Sequence, residues 1–304
     1  MSFPSQTEAA SNRPNVFLAL TQELTRLERK ANGVRQLVEV SICGCFLDVV
    51  LGRDWFTRAV LPASEHDDWT QNRLKHDGVS GIVHCHRVVR LADALFTLFI
   101  NKVDGFDVLR RRFHTRPTKP CFIETEIASL LTFNGFKVEI MAESGKRGSD
   151  FDLAAKKERI ELNVEVTGKD ELPFTVNTIK NTLKKKRTQT PSDRPAILYM
   201  HVPASWMDNL RKAQSQFTEA FTDFFIRSHR LNGIVLVWER VVPFANGGFP
   251  QMTMWPCFNN RPRHPFNQWD LVTRGADSEG KPRYALSFYN WLKGVQSKHL
   301  TDTR

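Results

Sequence analysis

The sequence predicts an α/β (α+β) chain: a helical N-terminal region, then an αβββαβ core on a mixed central sheet. Three observations carry this. From Asn15 to about Phe113 apolar residues recur at spacings of three and four, the period of a helix face. Between Cys121 and Val202 that spacing gives way to alternation, returns once and gives way again, so helix, strands, helix and strand follow one another. "HTRPTKP", His114 to Pro120, divides the two regimes, because proline interrupts a helix.

Each element follows in order. Residues 1–14 read as a disordered tail. Residues 15–117 form the helical region, including "HRVVRLADALFTLFINKV", with the polar "LPASEHDDWTQNRLKHDGVSG" as a loop holding a short helix. Residues 118–304 form the core and a C-terminal extension. In "CFIETEIASLLTFNGF", Ile123, Ile127, Leu130 and Leu131 share one helical face and Gly135 stops the helix. "FKVEIMA", "SDFDLAA" and "RIELNVEV" alternate as three strands, the last two joined by the polar turn "KKER". "PFTVNTIKNTLKKKRTQ" is a helix with Pro173 near its start, and "AILYMHV" a buried strand. A helical pattern from Ser205 to Leu231 and a strand "GIVLVWER" follow, the strand a candidate to extend the sheet. Residues 241–283, rich in Pro, Asn and Gly, match no element, and "YALSFYNWLKGV" closes the chain as a short helix or strand.

Composition bounds the function. The 304 residues are 41% apolar and 25% charged, ordinary values for a globular chain with a sizeable core. A net charge of +10 points to an anionic partner, nucleic acid first and an acidic membrane surface second. Five cysteines without framework spacing fit a reducing compartment, so the expected location is the cytoplasm. The N-terminus carries no signal-peptide pattern. No uncharged apolar run nears the roughly 18 residues of a bilayer span, so a membrane-spanning role is not expected.

The chemistry concentrates in "GSDFDLAAKKERIELNVEVTGK", Gly148 to Lys169. Side chains alternate along a strand. Leu162, Val164 and Val166 therefore face one way, and Asn163, Glu165 and Thr167 the other. Asp150 and Asp152 share a face, so pairing of the two strands can place Asp152 beside Glu165. Glu124, at the edge of the preceding helix's apolar stripe, is the third carboxylate, with Glu126 its competitor on the other edge. Converging carboxylates suit Mg²⁺, which takes hard oxygen ligands.

This run of residues, from "FIETEIASLLTFNGFKVEI" through "GSDFDLAA" to "ELNVEVTGK", resembles the PD-(D/E)XK superfamily, the restriction-endonuclease-like nucleases. The resemblance covers residues 122–202. It implies the αβββαβ core and a metal site of Glu124, Asp152 (or Asp150, if the register slides by two) and Glu165, holding Mg²⁺ or Mn²⁺. It also implies a catalytic lysine two residues after the glutamate. That position holds Thr167. Lys169, two residues further, is the expected replacement, with Lys180 and Lys184 on the next helix as alternatives.

The implied activity is metal-dependent hydrolysis of nucleic-acid phosphodiesters, DNA ahead of RNA, as an endonuclease of restriction, repair or defence. The rival reading is a catalytically decayed nuclease-like fold that binds nucleic acid or acts as a scaffold; Thr167 favours it and the retained acids oppose it. The basic run Lys180, Lys184, Lys185, Lys186 and Arg187 is the expected nucleic-acid surface, against the alternative of a solvated helix end complementing the macrodipole. Gln189 is either part of the site or a loop residue. The helical region is open to a protein partner, and self-association is open as well. "HCH", His84 to His86, and "CGC", Cys43 to Cys45, lack the spacing of structural zinc sites. "GRDWF", Gly52 to Phe56, marks a helix boundary.

Overall fold

The computed structural model describes residues 13–32, 34–60, 78–143, 151–168, 175–207, 209–244, 247–274 and 285–302. Five helices come first: α1 (Arg13–Lys30), α2 (Arg35–Leu51), α3 (Trp55–Ala59), α4 (Gly78–Ile100) and α5 (Phe106–Thr115). The core follows as α6 (Thr118–Phe133), β1 (Lys137–Ile140), β2 (Leu153–Lys157), β3 (Ile160–Gly168), α7 (Val176–Gln189) and β4 (Ala196–His201). This is the expected αβββαβ order. A 3₁₀ turn (Ala204–Met207), α8 (Leu210–Arg227), β5 (Gly233–Phe244), β6 (Gly247–Phe258), α9 (Asp270–Thr273) and α10 (Phe288–Asp302) complete the chain.

The six strands lie in chain order in one mixed sheet. β1, β2 and β3 are antiparallel neighbours, β3, β4 and β5 run parallel, and β6 returns antiparallel along β5. The two parallel joins need crossovers, which α7 and α8 provide. Strand alternation divides the core. Leu153, Leu162, Val164, Ile197, Tyr199, Val235 and Val237 face the layer of α1, α2, α4, α6 and α10. Leu198, Met200, Ile234 and Leu236 face α7 and α8. The helices of residues 15–117 thus share one apolar core with the sheet.

Several boundaries differ from the expectation. α1 begins at Arg13, inside the expected tail. β2 starts at Leu153, later than "SDFDLAA" implied, and takes in both lysines of "KKER"; the turn is Glu158–Arg159, with Glu158 at φ 53°. The stretch from residue 241 holds the end of β5 and all of β6. Its prolines conceal a strand, yet β6 is an edge, where a proline is tolerated when its nitrogen faces away from the neighbouring strand. The closing segment is a helix. Most of the loop at residues 61–81, the tail to residue 12, Asp150 and Lys169 lie outside the described residues. Among those described, no helix is long and apolar enough to cross a membrane.

Candidate active site

α6 places Glu124. Pro120 sits in its first turn, where no N–H is needed, and Gly135, at φ 83°, takes the left-handed turn after its end. The helix is buried almost all round, from Cys121 to Leu131. Glu124 is accordingly 4% exposed, a position a carboxylate tolerates only when paired. Its partner is Arg112 of α5, which also donates to the Met141 carbonyl at 2.5 Å.

Asp152 stands where the β2–β3 ladder breaks. Leu153 pairs with Val164, but the Asp152 N–H reaches the Val164 carbonyl (3.1 Å), one residue out of register. The next inward-facing donor of β3, the N–H of Val166, therefore has no strand partner on β2. The Asp152 carboxylate accepts it through Oδ2 at 2.8 Å, which settles an otherwise orphaned backbone group. Burial pushes the Asp152 carboxyl above its ordinary range. The Val166 N–H, and then the charges of Lys186, Arg112 and Arg116, pull the other way.

Glu165 is 4% exposed on β3. As the alternation predicts, it faces away from Val164, toward α7. That helix is capped by Thr175, whose hydroxyl accepts from the Thr178 N–H at 3.1 Å. Its buried stripe is Ile179, Thr182 and Leu183, and the next residue at helical spacing on that stripe is Lys186. Lys186 pairs with Glu165, their side chains 16% and 5% exposed.

The structure thus brings Asp152, Glu165 and Lys186 into one neighbourhood, with Glu124 linked to it through Arg112. Among the described residues no three His, Cys, Asp or Glu side chains are grouped closely enough to hold a metal. Among those residues Glu124 does not complete a triad with Asp152 and Glu165, and its carboxylate is paired with Arg112. Among the described residues "HCH" and "CGC" join no metal group, and the cysteines are free thiols. Glu126 is turned away, to Arg90.

The basic run divides along the helix. Lys186, expected on a nucleic-acid surface, is turned inward by its place on the buried stripe. Lys180 is held by Glu219 (3.0 Å) and Asp223 (2.6 Å) of α8, so it neither approaches Glu165 nor offers a spare charge. Lys184 and Lys185 are exposed and Arg187 is half-buried. Lys184 and Arg187 line a groove with Arg227 between α7 and α8. Thr167 is half-buried at the end of β3, and the side chain of Gln189 lies outside the described residues.

The signal for Lys186 was present in the sequence. "IKNTLKKKR" carries Ile179, Leu183 and Lys186 at spacings of four and three, which singles out one lysine of the run as inward. No family model, curated protein or solved structure matches the chain.

Proposed function

We propose that the chain is a metal-dependent nucleic-acid phosphodiester hydrolase, with DNA as the first candidate substrate. The observation that carries this is the pairing of the buried Glu165 with Lys186 beside Asp152, within elements that follow the αβββαβ order. Mg²⁺ is commonly bound through one or two carboxylates, with waters and substrate phosphate completing its shell. Asp152 and Glu165 supply such a set; Glu124 is not needed for it. Asp152 is also a fitting ligand because burial disfavours its charge, and a cation would relieve that.

Asp152 and Glu165 would hold Mg²⁺ or Mn²⁺, which supplies a Lewis acid and a water of lowered pKa when bound. Lys186 takes the part of the lysine missing at Thr167. Its ammonium, fixed by a helix packed on the sheet, is positioned to orient a water or to offset charge developing on phosphate. Thr167 can do neither as a cation does. Lys184, Lys185 and Arg187 at the helix end present charge for the phosphate backbone.

A second reading keeps the fold and nucleic-acid binding without cleavage. Arg112 on Glu124 favours it, because a cation there holds one of the family's acids permanently. Cleavage of plasmid and of labelled oligonucleotides in Mg²⁺ or Mn²⁺ decides between them. The hydrolase reading expects chelator-sensitive products from wild type and none from Glu165→Gln. Retained binding with no cleavage in either metal establishes the second reading.

A further inference from the structure

On the opposite face of the sheet, a second charged site lies at the carboxyl ends of β4 and β5. A cavity of about 130 Å³ there is lined by Arg87 and Arg90 of α4, Lys119 and Glu126 of α6, His201 of β4 and Glu239 of β5, among others. The exposed Ala204 is part of its lining, so it reaches the surface. Crevices outside the carboxyl ends of parallel strands are where open α/β sheets collect ligands.

The charges in this cavity are not evenly matched. Arg87 grips Glu239 through Nε at 3.1 Å and Nη2 at 2.6 Å. Arg90 lies over the Phe122 ring and bridges Glu239 (2.9 Å) and Glu126 (2.8 Å). Both oxygens of Glu239 and Oε1 of Glu126 are therefore engaged by arginines. Lys119 is left over: among the described residues it has no ion-pair partner, and the lining carries three cations to two anions. His201 is the second unmatched group, its Nδ1 buried without a hydrogen-bond partner among the described residues.

A buried polar atom without a partner is costly in a finished fold. Here it stands beside an unpaired ammonium in an open cavity. The two together present donors and a positive field, in a lining whose cations outnumber its anions. Size narrows the occupant. The volume exceeds the roughly 10–15 Å³ that one water needs, yet falls below the roughly 300 Å³ at which pockets for drug-sized ligands begin.

We propose that this cavity binds a single compact oxyanion, a phosphate group, through the Lys119 ammonium and the Nδ1–H tautomer of His201, with Arg87 and Arg90 as the fixed positive wall. The phosphate is either free inorganic phosphate or the terminal monoester of a nucleotide or oligonucleotide; both offer the same oxygens. Burial and, after it, the charge of Lys119 hold the His201 imidazole neutral, with its pKa down to about 3. Its Nδ1 can thus donate while no histidine charge is spent, and an arriving anion would offset Lys119 and raise that pKa. The proposal does not depend on the hydrolase reading, because the site is on the other face of the sheet and uses none of its residues.

The test is a titration of the full chain, without divalent metal, followed by the His201 ring resonances and by thermal unfolding. Inorganic phosphate should shift the His201 signals saturably, at concentrations up to about 10 mM. Lys119→Ala should weaken binding by about tenfold or more, the scale of one charge-assisted bond, and Lys119→Arg should retain most of it. Lys137→Ala, an exposed position on β1 at the other edge of the sheet, should leave phosphate binding unchanged. A nucleoside 5′-monophosphate and a 5′-phosphorylated oligonucleotide, each against its dephosphorylated form, separate the two sources. Tighter binding of the phosphorylated forms than of inorganic phosphate assigns the terminal monoester, and binding of inorganic phosphate alone assigns the free ion. Absence of saturable shifts, or equal affinity in wild type and Lys119→Ala, overturns the proposal.

Discussion

Replacing Lys186 by Met removes one charge and keeps most of the side chain's length, so the loss it causes is electrostatic. The magnitude follows from burial. Glu165 is 5% exposed at its side chain and Lys186 16%. Removing one partner from a buried pair costs about 3–5 kcal/mol, against about 0–1 kcal/mol for exposed pairs. Glu165 sits on β3 between β2 and β4 and cannot swing to water. Lys186→Met should therefore lose about 3 kcal/mol. Glu165→Gln should lose less, because the freed ammonium can reach solvent on its flexible stem. In the double variant the two losses should not add, leaving a coupling of about 2 kcal/mol. Urea unfolding at pH 7 measures all three, provided the m-value is constant. A Lys186→Met loss below about 1 kcal/mol with no coupling would mean an exposed-type pair, and the case for a lysine fixed on the site would fall.

Three further predictions follow from the same geometry. The folded pKa of Asp152 is raised by burial, so stability should fall as pH rises through the unfolded value near 3.9 and on through the folded one, and stay lost above. Asp152→Asn keeps an acceptor for the Val166 N–H, so urea unfolding from pH 4 to 7 should give a flatter profile and no loss at pH 7; a clear loss there with an unchanged slope contradicts this. At Gly105, φ is 75° and a Cβ would lie 2.1 Å from the Ile140 carbonyl oxygen; Gly105→Ala should cost more than about 1 kcal/mol by thermal unfolding, and an unchanged Tm would show that α5 and β1 do not meet so closely. Replacing Lys184, Lys185 and Arg187 together should flatten the salt dependence of duplex-DNA binding by up to about 0.9 for each phosphate no longer neutralised, whereas Lys180→Ala, already paired with Glu219 and Asp223, should leave it unchanged.

Much of the fold was legible because period and punctuation agreed. Alternation in "RIELNVEV" assigned Val164 to the core and Glu165 to the other face, and both are so placed. Gly135 marked the end of α6 for a reason the backbone repeats at φ 83°. The edge strand β6 was hidden because Pro250 and Pro256 read as breakers, and an edge position is a tertiary fact. Glu124 illustrates a different limit. Its place on the helix could be read, but its partner Arg112 lies 12 residues earlier on another helix, and no local pattern links the two. Lys186 is the opposite case: the stripe of Ile179 and Leu183 points to it, while the density of the basic run equally suits a solvated face.

The most direct measurement is Mn²⁺ binding to the full chain, followed by electron paramagnetic resonance of the free ion. The account predicts one saturable site that is lost in both Asp152→Asn and Glu165→Gln. It also predicts tighter Mn²⁺ binding in Lys186→Met, because the lysine competes for the Glu165 carboxylate, together with slower cleavage in that variant. Absence of a saturable site, or a site indifferent to Asp152 and Glu165, would contradict it.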